Sequence, residues 1–105
     1  MSTIRRFFDR NVTVRRLRTV SGDRKAFQAT ATVEGHVQDL GGAARQRLGI
    51  VEDRAWEAWF DLDADVEEGD EITDNRGTVY HVREVTRKDY GANQHLEVIL
   101  AEPNA

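Results

Sequence analysis

Three aspartates at alternate positions, Asp61, Asp63 and Asp65, open like a calcium-binding loop. Such a loop needs glycine at its sixth position to turn and glutamate at its twelfth to close the oxygen cage. Those positions hold Val66 and Ile72. The acids therefore read as the solvated end of a strand. His36, His81 and His95 are the only imidazoles, and no two sit at the spacing of a zinc site. The chain has no cysteine, which excludes disulfides, thiolate catalysis and every cysteine-based metal site. Ser2 and Ser21 lie in an arm and a charged turn, outside any nucleophile-elbow context. Gly41-Gly42 is followed by no Gly-Lys-Ser/Thr, so it makes no phosphate loop. The expectation is a chain without catalytic machinery, cofactor or metal.

Nucleic-acid binding is the stronger chemical alternative. Small barrels bind single strands through exposed aromatics and a basic groove. Trp59, Tyr90, Arg45 and Arg47 are the available contacts, yet the net charge is −4. Groove-reading proteins normally carry a net basic footprint.

The elements that must position these residues are strands. The stretch 66–85 reads as turn, short strand, turn, longer strand, with Glu68-Gly69-Asp70 and Asp74-Asn75-Arg76-Gly77 as the turns. A first strand is expected over 11–17, a polar turn over 20–25, and a second strand over 28–40 with a bulge or bend at Gly35. A third strand over 55–62 places Trp56, Ala58, Phe60 and Leu62 on one side, and a last over 94–101 alternates Leu96, Val98 and Leu100 against His95, Glu97 and Ile99. Ile4, Phe7 and Phe8 sit at helical spacing in a short N-terminal arm. Residues 41–53 form one long loop without a clear period. At 105 residues this predicts a single domain, 1–105: all-β, a small antiparallel barrel of about six strands. No apolar run predicts a signal peptide or a membrane span.

Charge is unevenly distributed. Residues 1–25 carry eight cations against Asp9 and Asp23, a net +6, and residues 51–75 carry eleven acids against Arg54, a net −10. If the fold keeps these segments apart, one pole is basic and another acidic. Unlike patches of this kind suit a head-to-tail contact between copies.

The order of motifs resembles the bacteriophage head–tail joining family, also called head completion or stopper proteins. The resemblance runs through Phe8-Asp9-Arg10-Asn11-Val12-Thr13-Val14-Arg15-Arg16, then Val33-Glu34-Gly35-His36-Val37-Gln38. Its strongest part is Val66-Glu67-Glu68-Gly69-Asp70-Glu71-Ile72 followed by Gly77-Thr78-Val79-Tyr80-His81-Val82, and it closes on His95-Leu96-Glu97-Val98. It spans almost the whole chain.

The resemblance implies a virion structural protein at the head–tail interface, resident in the host cytoplasm during assembly. It implies a homo-oligomeric ring, typically of six subunits, docked below the portal and its adaptor. Such a ring retains packaged double-stranded DNA until ejection and offers the attachment surface to a tail terminator or tail tube protein. A gene-transfer particle would use the same design. The resemblance makes 41–53 the channel loop, with Gly41, Gly42 and Gly49 allowing movement, Leu48, Ile50 and Val51 packing on neighbours, and Arg45 and Arg47 meeting phosphates. With the charge asymmetry, it places Arg5, Arg6, Arg15 and Arg16 against Asp61, Asp63, Asp65, Glu67 and Glu68 of a neighbouring subunit. The alternatives are pairing of these segments within one subunit, a tail-completion or tail-terminator role, and a single-strand-binding barrel.

Overall fold

The computed structural model describes residues 8–22, 24–40, 55–89, 91 and 94–102. Every regular element among them is a strand: β1 (Arg10–Ser21), β2 (Arg24–Asp39), β3 (Ala55–Phe60), β4 (Glu71–Thr73), β5 (Val79–Lys88) and β6 (His95–Ala101). All neighbours pair antiparallel, and the ring closes in the order β1-β2-β3-β6-β5-β4. The all-β barrel expected from one-sided alternation is thus what forms. Two meanders, β1-β2-β3 and β4-β5-β6, build it. In that ring β3 and β4 lie on opposite sides, so residues 61–70 must cross one mouth. Val66 is buried at 6% exposure, and Leu62 and Ala64 pack on the core beneath the crossing.

The core is the inward set of alternating residues. Val12 and Val14 of β1, Phe60 of β3, Ile72 of β4, Val82 of β5, and Val98 and Leu100 of β6 are essentially inaccessible. Each such side chain contributes about 1.5–3 kcal/mol by leaving water. Trp56 meets Tyr80 edge-on, with ring centroids 4.9 Å apart. A smaller cluster of Leu40, Ala55 and Ile99 sits apart from the main core. It explains why Ile99, expected on the outer side of β6, is buried.

Two irregularities change which residues face inward. The β5–β6 register shifts between Val82 and Glu84, leaving Arg83 exposed and returning Val85 to the core side with Tyr80 and Val82. The β1–β2 register shifts between Val14 and Arg15, skipping Thr30, whose hydroxyl donates to the Val14 carbonyl. The bulge in β2 falls at Thr30 rather than Gly35, and at Gly35 the strand passes from pairing with β1 to pairing with β3. Glycine stands there because a Cβ would collide with the Phe60 ring and lie 2.7 Å from the Trp59 carbonyl. Gly69 and Gly77 have φ of 90° and 85°, the left-handed geometry the two turns flanking β4 demand.

The first hairpin differs most from its sequence reading. The expected turn at 20–25 is mostly strand, and β1 and β2 stay paired to Ser21↔Arg24, with a second register shift between Thr19 and Ser21. Pairing of β1 with β4 ends at Arg15, and pairing of β2 with β3 begins only at Gly35. The hairpin thus overruns the barrel as a two-stranded ribbon. Six residues of β1, 16–21, extend it by about 20 Å, in keeping with a molecule 45 Å long and 26 Å thin.

Candidate assembly interface

Closing the barrel brings the basic and acidic segments side by side. The β1–β4 seam has only three paired positions, Thr13↔Thr73, Val14↔Ile72 and Arg15↔Glu71. Arginines of β1 brace it at both ends. Beyond one end, Arg16 grips Asp70, which is 2% exposed: Nε donates to Oδ1 and Nη2 to Oδ2, both at 3.0 Å. The Glu67 amide also donates to Asp70 Oδ2, at 2.9 Å. Arg16 reaches Asp65 through Nη2 at 2.9 Å and lies 3.6 Å from Glu67. These partners, Asp70 foremost, raise the Arg16 pKa above its ordinary value. Beyond the other end, Arg10 Nη1 donates to Asp74 Oδ2 at 3.3 Å. Asp74 is 6% exposed and also accepts from the Tyr80 hydroxyl at 3.3 Å and from the amides of Arg76 and Thr78 at 2.9 and 3.0 Å. Burial, and then the charge of Asp74, raise the Tyr80 pKa, with Arg10 opposing.

Arg16, expected against a neighbouring subunit, has its described partners within its own chain. Arg16, Asp65 and Glu67 are partners within one chain, because β4 returns beside β1. Arg15 likewise stands 3.8 Å from Glu71 and donates to the Phe27 carbonyl at 3.2 Å. Among the described residues, Arg10, Arg15 and Arg16 of the basic quarter meet carboxylates of the acidic quarter along the seam. Arg5 and Arg6 lie outside the described residues, as does the expected channel loop with Gly41, Gly42, Arg45, Arg47, Leu48, Gly49, Ile50 and Val51. Of that loop only the attachment is seen: the Leu40 amide donates to the Ala55 carbonyl at 3.1 Å.

What remains outward is a different pair of patches. The ribbon exposes Arg18, Arg24 and Lys25. It also carries Leu17, 47% exposed and paired across the hairpin with Phe27. Facing it in charge is a groove of about 450 Å³. Residues 31–34 of β2 form one wall, and Asp61, Asp63, Ala64 and Asp65 of the mouth-crossing segment form the other. Asp63 and Glu68 are exposed on that segment. The groove exists because β3 ends at Phe60 and its chain swings across the mouth while β2 continues straight on.

A third feature lies on the outer face of β2, β3 and β6. His36 and His95 flank Trp59, with ring centroids 5.4 and 6.1 Å from the indole. The indole N–H donates to Glu57 at 2.9 Å, and Glu97 lies 3.7 Å from His95. Sequence alone scatters these histidines; strand pairing gathers two of them. Carboxylates around the indole disfavour phosphate, which weakens Trp59 as a stacking platform for nucleic acid. Among the described residues no group of side chains is arranged to hold a metal ion, and no helix is long and apolar enough to cross a membrane.

Asp70 and Asp74 enter the sequence reading only as turn residues. Their signal is local: Asp70 follows Gly69 directly, and Asp74 stands three before Gly77, where an aspartate caps a turn through its own carboxylate. Nothing local shows that each also holds an arginine from β1.

No protein-family model matches the chain, and no curated protein matches it. Among solved structures, the fold is similar to the solution structure of protein SF1141 from Shigella flexneri 2a, a structural genomics target. The TM-score is 0.74 at 14% identity, over 97% of this chain and 96% of that one. At this identity the likeness concerns the fold.

Proposed function

We propose that this chain is a structural connector of the head–tail junction of a phage or phage-derived particle. Copies assemble head-to-tail into a ring below the portal, and the ring retains packaged DNA and receives the tail. The observation that carries the reading is the unlikeness of the two outward patches. A basic ribbon and an acidic groove on one small body are complementary rather than alike, so the ribbon of one copy suits the groove of the next. They fit a heterologous contact repeated around a closed rotation. The order of motifs, which over almost the whole chain resembles head–tail joining proteins, supports the same role. Braced β1–β4 closure supports it as well, since a ring component must hold its shape while neighbours pull on it.

Electron microscopy of the purified protein mixed with the portal complex of its particle tests the proposal. The expected result is a ring of density below the portal, coaxial with its channel. Particles lacking the protein should lose DNA and remain tailless. Particles that keep their genome and accept tails without it would overturn the reading. A filter-binding titration separates the single-strand-binding alternative, which demands steep loss of affinity with salt for the isolated protein.

A further inference from the structure

We infer that the contact between copies is a strand addition: the open β1 edge of one subunit's ribbon enters the groove beside the open β2 edge of the next. This rests on the ring reading and names its chemistry.

Among the described residues both edges lack a strand partner. On β2, no strand pairs with the outer side of residues 24–34, because β3 joins only at Gly35. On β1, the outer side of residues 16–21 is open, because β4 stops at Glu71 opposite Arg15. An unpaired edge presents a row of amides and carbonyls that templates another strand. Isolated two-stranded ribbons are marginal in water. The overrun is therefore the part of this fold with most to gain from a third strand.

The groove selects what enters. The β2 wall of the groove, residues 31–34, is about 13 Å long, room for a strand of four residues. Its far wall carries Asp61, Asp63 and Asp65. A strand laid there needs cationic side chains on the side facing that wall. The β1 edge supplies Arg18 between exposed Leu17 and Thr19, and its hairpin partner adds Arg24 and Lys25. Charge complementarity thus commits the groove to a second copy of this chain. The two edges belong to different strands of one hairpin, so a contact made in one rotational sense leaves each copy a free edge for the next. Asp65 already holds Arg16 from within, which leaves Asp63, exposed on the same wall, as the carboxylate for the incoming Arg18.

A charge-exchange experiment on the full chain tests this. Arg18→Glu and Asp63→Arg each remove an exposed charge and leave the core untouched. Each alone should weaken self-association by about ten-fold or more, read by light scattering and native mass spectrometry. An equimolar mixture of the two variants should restore assembly, since every contact between unlike copies is again opposite in charge. The double variant should restore it too. Hydrogen exchange adds a backbone readout: amides of residues 31–34 should slow on association by about ten-fold or more.

Unchanged assembly in either single variant, failure of the mixture to rescue, or no slowing at 31–34 overturns the strand addition. If rings still form below the portal in those cases, the connector reading stands without it. A chain that stays monomeric in solution and on the portal overturns both. Capture of a different basic segment in the groove, with self-association absent, also overturns the assignment to a second copy.

Discussion

Arg16 holds Asp70 in a two-point contact, Nε to Oδ1 and Nη2 to Oδ2, each 3.0 Å, across the seam that closes the barrel. The two residues are 54 positions apart. The fork geometry matters, because a planar guanidinium meets both oxygens of a carboxylate at once. With only three paired positions between β1 and β4, side chains do a large share of the fastening.

Removing the carboxylate of Asp70 should be costly. Asp70→Ala leaves Arg16 partly buried with only its outer partners Asp65 and Glu67, and it orphans the Glu67 amide. The expected loss is about 2–4 kcal/mol in urea unfolding. Arg16→Lys should recover little of an Arg16→Met defect, since an ammonium cannot reproduce the fork.

Asp74 should separate turn from ion pair. Asp74→Asn keeps an oxygen for the Arg76 and Thr78 amides and loses the charge facing Arg10. Asp74→Ala loses both. The alanine variant should be the less stable by about 1 kcal/mol or more, measured by thermal and urea unfolding of the two proteins side by side.

Gly35 should not tolerate a side chain. Gly35→Ala places a methyl group against the Phe60 ring and the Trp59 carbonyl, and overpacking of this kind costs about 1–3 kcal/mol. A second change, Phe60→Leu, should recover part of that loss in the double variant while destabilising the parent protein. Simple additivity of the two would contradict the close approach.

Tyr80 sets an alkaline limit. Its pKa is raised in the folded state by burial and by Asp74. Above the unfolded value of about 10, the unfolded chain releases the phenolic proton while the folded chain keeps it. Stability is therefore fully present below about pH 10 and falls as pH climbs toward the folded pKa. Tyr80→Phe should remove this slope, at a cost of about 1 kcal/mol at neutral pH from the lost bond to Asp74. Unfolding midpoints between neutral and alkaline pH check both statements.

Alternation and turn chemistry were enough to read six strands, the glycine turns around β4, and the inward placement of Val12, Val14, Phe60, Val98 and Leu100. These are local properties: side chains alternate along a strand, and positive φ favours glycine wherever it occurs. Register was not legible. The bulges at Thr30 and Arg83 depend on how two strands meet, so the return of Val85 to the core side is visible only in the fold. The length of the β1–β2 ribbon was hidden for the same reason, since polar residues pair as readily as apolar ones once a hairpin is formed.

The chain by itself determined that positive charge concentrates in its first quarter and negative charge in its third, and that no cysteine chemistry is possible. Only the tertiary structure decided how those charges are used. Barrel closure sets β1 beside β4, a contact between segments distant in sequence, and thereby pairs Arg10, Arg15 and Arg16 with carboxylates of their own subunit. It leaves the overrunning ribbon and the groove beneath it as the outward patches. Composition fixes the number of charges, but the distances between them, and hence which attract and which stay exposed to solvent, arise from closure of the ring.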